Sequence, residues 1–175
     1  MAITNQQLRD AFVSPRMKCY FEKKLSPLSC AEVAVRVEET LKFLNMATYF
    51  HCNIPVSKEI DDVWHYWILE TREYDKLCSM LQGRRFVHHS SNDYLECSSD
   101  DIRLQSNDLE QEVAMLATYA LNYGPFEKSR VKYWLFAAHL VDNHGWSVAR
   151  LNDWLTSASA IPLVGHSNPI RVAMR

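Results

Sequence analysis

Five hydroxyl residues stand where a helix would need closing at its start: Thr4, Ser14, Ser29, Ser57 and Ser147. Apolar residues follow at three- and four-residue spacing, the period of one helix face. A side-chain oxygen at such a position accepts from amides that have no partner in the first turn. Thr4 with Gln7, and Ser29 with Glu32, have the spacing of a capping box. Ser14 precedes Pro15, whose missing N–H costs nothing at the first helical position. These signals predict helices over 4–13, from 15 to about 25 (ending before Pro27), from 30 to about 49, over 57–82, 107–122 and 127–143, and from 147 to about 157. With 4 Gly and 6 Pro the chain has little turn chemistry for a sheet. The expected fold is an all-α, bundle-like domain of six or seven helices.

A chain of 175 residues is the size of one domain. The stretch 90–106, SNDYLECSSDDIRLQS with the serine before it, is rich in Ser and Asp and reads as a long surface loop between N-terminal and C-terminal helices. Neither group has the apolar surface to stand well alone, so both are expected in one core. The tail from 160 carries two prolines and no period, and reads as irregular.

A net charge of −2 gives no pull toward nucleic acid or anionic membrane. Arg84-Arg85 and Lys128, Arg130 and Lys132 fall short of a contiguous basic stripe, so no nucleic-acid partner is expected. No apolar run is long enough to span a bilayer. The opening MAITNQQLRDAF lacks a basic region followed by an apolar one, so no secretory signal is expected. Five cysteines without a paired spacing favour reduced thiols, and with them a cytoplasmic setting.

The chemically capable side chains concentrate between Pro55 and His89, which hold two tryptophans, a cysteine and three of the seven histidines. In one straight helix over 57–82, Val63, Trp64, Trp67, Tyr74, Leu77, Cys78 and Leu81 share a broad buried arc, at about 100° per residue. Asp61, His65, Arg72 and Ser79 lie on another ridge. His65 is then roughly 140° around the axis from Cys78, and the two cannot hold one ion unless the helix breaks. Gly83 is the expected stop.

The run I-D-x-V-W-H-x-x-I-L-x-T-x-x-Y-x-x-x-C, with Gly83, Phe86 and His88-His89 after it, resembles the motif of the glycine-rich-domain-containing protein-like family. That family occurs in plants, and short bacterial proteins carry similar motifs. The matching positions are Asp61, Trp64, His65, Ile68, Leu69, Thr71, Tyr74, Cys78, Gly83, Phe86 and His89, within about 35 of 175 residues. Leu77 stands where the pattern tends to an aromatic, and Ser90-Ser91 where it tends to proline. The chain has no glycine-rich segment, and the motif brings no established reaction with it.

Two functions are open. The first is a non-enzymatic binding or accessory protein that contacts a protein or peptide. The second is a metal-dependent enzyme or metal-binding protein, zinc or iron, centred on His65 with Asp61, Cys78, His88 and His89 as ligands or acid–base groups. Against the second, Cys78 on the apolar face can be a small hydrophobe, His65 can bond Asp61 one turn back, and His88 and His89 can close the helix end. The C-terminal aromatics Tyr119, Tyr123, Phe126, Tyr133, Trp134, Phe136, Trp146 and Trp154 read as core. His144, near a helix end, is expected to meet the helix dipole. No phosphate loop, nucleophile elbow or zinc-protease signature occurs. A Cys–His pair through Cys52 or Cys78 stays open, although His51 and Cys52 are adjacent and seldom aligned for proton transfer.

Overall fold

A computed structural model describes residues 4–48, 50, 54–89 and 107–157. The expected loop at 90–106, the tail from 160 and the His51-Cys52 pair lie outside the described residues. Among the described residues there are eight α-helices: α1 Asn5–Phe12, α2 Pro15–Lys24, α3 Cys30–Ala47, α4 Lys58–Leu69, α5 Thr71–Met80, α6 Asn107–Tyr123, α7 Leu135–Asp142 and α8 Val148–Thr156. A 3-10 turn, Val131–Tyr133, precedes α7. No strand occurs among them; the nearest thing is one antiparallel bridge between Val56 and Trp134.

The caps form largely as the sequence implies. Thr4 and Gln7 complete a reciprocal box. Ser14, Ser29 and Ser147 each accept from an amide three residues on. Two details differ. The Glu32 side chain turns away from its box and accepts from the Tyr133 hydroxyl at 2.8 Å, a bond that lowers its carboxyl below the usual range. Ser57 sits at the start of α4 without a side-chain cap. Its N–H instead donates to the Tyr133 carbonyl and Leu135 N–H donates to the Pro55 carbonyl, at 2.9 and 3.2 Å, which pins the entry to α4 against the entry to α7.

The helix count is eight, not six or seven, because the expected helix over 57–82 is two. It breaks at Glu70, whose φ of −93° and ψ of 65° leave the helical region. No Gly or Pro marks the break. The helix over 127–143 is also shorter than expected: Trp134 is extended, at φ −113° and ψ 99°, to meet Val56, so α7 starts only at Leu135. Gly83 does not end α5, which stops at Met80 with Leu81 extended. Gly83 serves a close approach instead. A Cβ there would stand 2.5 Å from Thr48 Cβ at the end of α3.

α3 is the axis of the fold. From Val37 to Met46 every residue is buried, because α1, α2, α4 and α6 all touch it. A helix buried all round is ordinarily apolar, yet this one carries Glu38, Glu39, Lys42 and Asn45 inside. Glu39 is fully enclosed, and both of its oxygens are hydrogen-bonded. Its Oε1 accepts from Lys42 Nζ at 2.8 Å and Arg130 Nη1 at 2.7 Å. Its Oε2 accepts from Trp134 Nε1 at 2.9 Å and the Tyr119 hydroxyl at 3.1 Å. Glu38 takes Arg130 Nη2 at 2.6 Å and Arg9 Nη1 at 2.8 Å. Two carboxylates therefore face Arg130, Lys42 and the half-exposed Arg9.

The surroundings reinforce the pairing. Burial by itself lowers the Arg130 pKa, but the bonds to Glu39 and Glu38 outweigh it and raise the group above its ordinary value. Burial lowers the Lys42 pKa, opposed by Glu39. Burial and the Glu39 charge raise the Tyr119 phenol. Tyr119 also stacks on Phe126 at 4.0 Å and meets Trp134 edge-on at 5.1 Å.

Removing one partner from such a network strands the others without water. Glu39→Leu is expected to destabilise the fold by about 3–5 kcal/mol, read as a lower urea midpoint by circular dichroism.

Candidate functional site

The break at Glu70 decides what the Asp61–His89 region can do. In a straight helix Trp64 and Tyr74, ten residues apart, would be about 15 Å apart along the axis. With α5 folded back on α4, Trp64 Nε1 donates to the Tyr74 hydroxyl at 2.8 Å. The Tyr74 hydroxyl in turn donates to the Val87 carbonyl at 2.6 Å. An indole, a phenol and a carbonyl thus form one relay from α4 through α5 to the chain after it. Tyr74 is 1% exposed, and burial holds its phenol protonated well above the usual range.

Cys78 lies one turn beyond Tyr74 on the same buried side. Burial raises its thiol, while the Val87 N–H and the Tyr74 hydroxyl oppose that rise. It is a protonated, enclosed thiol rather than a nucleophile. Cys19 and Cys30 are exposed.

The segment after α5 lies along this surface, and from Phe86 to His89 its side chains alternate between exposed and partly buried. Val87 and His89 turn partly inward, while Arg84, Phe86 and His88 are exposed. Arg84 makes the turn into it with a φ of +47°. His89 Nε2 meets Asp61 Oδ1 at 2.9 Å, and its ring packs edge-on to Trp64 at 4.5 Å. Phe86 packs edge-on against Tyr74 at 5.1 Å and lies 4.9 Å from the His88 ring.

The expected partner of Asp61 is therefore corrected. It is His89, not His65. His65 points outward beside them, its ring centroid 5.9 Å from that of His89. Trp64 and Trp67 are buried while His65 is exposed, as the helical arc implied. Thr71 opens α5 on the far side of the break. It lines a cleft of about 380 Å³ with Arg16, Tyr20, Glu70, Arg72 and Glu73, away from His89. Cys78 and His88 also part: one faces Val87, the other packs at a tilt against Phe86. Among the described residues no three His, Cys, Asp or Glu side chains stand where they could hold one metal ion.

The Glu38–Glu39–Lys42–Arg130 network was not visible in sequence. Neither Glu39 nor Lys42 stood out in the sequence, and Arg130 read as part of a basic cluster. The one faint signal was an i, i+3 pair set among Val37, Leu41 and Leu44 on a helix long enough to be wrapped.

Comparison with known proteins covers about the first three fifths of the chain. A family model described as UCP032817-like matches residues 4–108. The chain belongs to the UCP032817-like family. That match takes in α1 to α5, the Trp64–Tyr74–Val87 relay and the Asp61–His89 pair, and ends as α6 begins. The family is uncharacterised. No curated protein and no solved structure matches the chain.

Tyr74→Phe deletes the acceptor of the Trp64 indole and the donor to the Val87 carbonyl. Two buried groups left unpaired predict a loss of about 1–3 kcal/mol in chemical unfolding. Brief alkylation of the native protein with peptide mapping is expected to label Cys19 and Cys30 and to spare Cys78 until denaturant is added.

Proposed function

We propose that the chain is a non-enzymatic binding or accessory protein whose recognition element is the segment Arg84–His89, held out for a protein or peptide partner. One observation carries this reading. The polar groups of the motif are spent on one another and on the segment's own backbone and ring, and what they hold outward is Phe86, 48% exposed, with His88 beside it. A catalytic site keeps reactive groups aimed at a substrate. Here Tyr74 and Cys78 are closed in and neutral, and a rigid backing under an exposed aromatic is what a binding surface needs.

The likeness to the glycine-rich-domain-containing protein-like family belongs to the same proposal. Asp61, Trp64, Tyr74, Cys78 and His89, shared with that pattern, are the residues that anchor the segment. The setting proposed is the cytoplasm, where free thiols stay reduced. Among the described residues no helix is long and apolar enough to cross a membrane.

A second reading has its own observation. Asp61, His65 and His89 lie together, with Asp61 bonded to His89 and the two imidazole rings 5.9 Å apart. As they stand the three do not converge on one ion, so a two-histidine, one-carboxylate centre for zinc or iron would require the exposed His65 ring to turn toward the Asp61–His89 pair.

The test is site-directed photo-crosslinking from position 86, compared with Leu121 of α6, which is barer still to solvent, at 63%. Partner adducts are expected from 86 alone. The double substitution Phe86→Asp, His88→Asp is expected to weaken that partner by about tenfold or more with the fold intact. Equal adducts from both positions, or none from 86, would overturn the binding reading. Zinc or iron in stoichiometric amount, lost in His65→Ala, would decide for the metal centre.

A further inference from the structure

His139 and His144 meet at the far end of the molecule's C-terminal half, outside the site above. Five residues apart on a continuing helix they would diverge by about 140° around the axis. The way α7 ends brings them together. Gly145 takes a φ of +66°, and Trp146 N–H donates to the Leu140 carbonyl at 3.1 Å. Asn143 and His144 N–H both donate to the His139 carbonyl, at 3.0 and 3.3 Å. This closure, of the kind a left-handed glycine permits after a helix, folds His144 back over the last turn. The expected contact of His144 with the helix dipole thus becomes a ring-to-ring contact with His139.

The two Nε2 atoms are 3.1 Å apart, with ring centroids 4.8 Å apart and planes at 76°. Both side chains are exposed. Asn143 Nδ2 lies 3.0 Å from His139 Nδ1 and fixes that ring. An amide NH₂ only donates, so Nδ1 accepts and the His139 proton sits on Nε2, between the two rings. A cation can take the place of that proton. Two nitrogens about 2.05 Å from a metal and 3.1 Å from each other subtend about 98° at it, between the square-planar and tetrahedral angles.

We propose that His139 and His144 form a bidentate site for a divalent transition cation of the Cu²⁺, Ni²⁺ and Zn²⁺ class. The shared proton moves from His139 Nε2 to its Nδ1, where the Asn143 amide, turned over, accepts it through Oδ1. Both imidazoles bind as neutral ligands, no proton is lost from the neutral pair, and water fills the remaining positions. Imidazole nitrogens rank Cu²⁺ above Ni²⁺ and Zn²⁺. Acid weakens binding, since protons compete for the same lone pairs.

The test uses the full-length chain without a histidine tag, titrated with Cu²⁺ and with Ni²⁺. Native mass spectrometry gives the stoichiometry, and quenching of tryptophan emission gives the affinity, Trp146 being two residues from His144. One ion per chain is expected. His139→Ala or His144→Ala is expected to weaken it more than about tenfold, beyond the loss of a supporting residue, with the circular dichroism unchanged because both positions are exposed. Gly145→Ala keeps both imidazoles but strains the turn that joins them, and is expected to weaken binding as well. His65→Ala is expected to leave it unchanged. Wild-type affinity in the double variant His139→Ala, His144→Ala, or no ion on the wild type, would overturn the proposal. Loss of the ion in His65→Ala alone would also overturn it, and would assign the metal to the Asp61–His65–His89 group instead.

Discussion

A carboxylate with no exposure, Glu39, holds this fold to one arrangement. Apolar packing tolerates sliding, because any methyl can face any other. Glu39 tolerates little, because four donors from four places in the chain must reach its two oxygens together. Lys42 comes from the same helix, Tyr119 from α6, Arg130 from the turn before α7, and Trp134 from the extended residue that meets Val56. The same guanidinium that answers Glu39 also answers Glu38, which reaches back to Arg9 on α1. Register between the N-terminal helices and the C-terminal ones is set by charge and hydrogen bonding, with the apolar core filled in around it.

How much of this was legible depends on whether the cause was local. Capping is local, so Thr4, Ser14, Ser29 and Ser147 marked their helices within a residue or two. The buried side of α4 and α5 was legible too, since Trp64, Trp67, Tyr74, Leu77 and Cys78 follow helical spacing and all are enclosed. The break at Glu70 was not. Its reward is the bond between Trp64 and Tyr74 and the bond from the Tyr74 hydroxyl to the Val87 carbonyl, contacts made ten and more residues away. No breaker residue announces it. Ser57 takes the same extended backbone as the serines that do cap, yet its hydroxyl is buried without a partner, which local sequence does not foretell. The ion network is the extreme case, because every one of its charges reads as surface until the partner helix is in place.

The candidate site follows the same division. The sequence grouped Asp61, Trp64, His65, Tyr74, Cys78 and His89 correctly as neighbours in the chain, but their relations depended on the fold-back. A straight rod would have left Trp64 and Tyr74 about 15 Å apart along the axis, whereas Asp61 and His65, both within α4, keep their one-turn spacing either way. The bend hands Asp61 to His89 and hands Tyr74 to the backbone of Val87. What looked like a set of ligands is, in large part, a clamp on the chain that follows.

The span recognised by the family model stops at residue 108, short of Tyr119, Arg130 and Trp134. A fragment trimmed to that span would retain both acidic side chains of α3 with Arg9 and Lys42, yet forfeit the guanidinium, the indole and the phenol that neutralise and solvate them inside. The recognised portion is therefore not self-sufficient: its most deeply placed anion is completed from beyond its border, and the two portions are electrostatically one object.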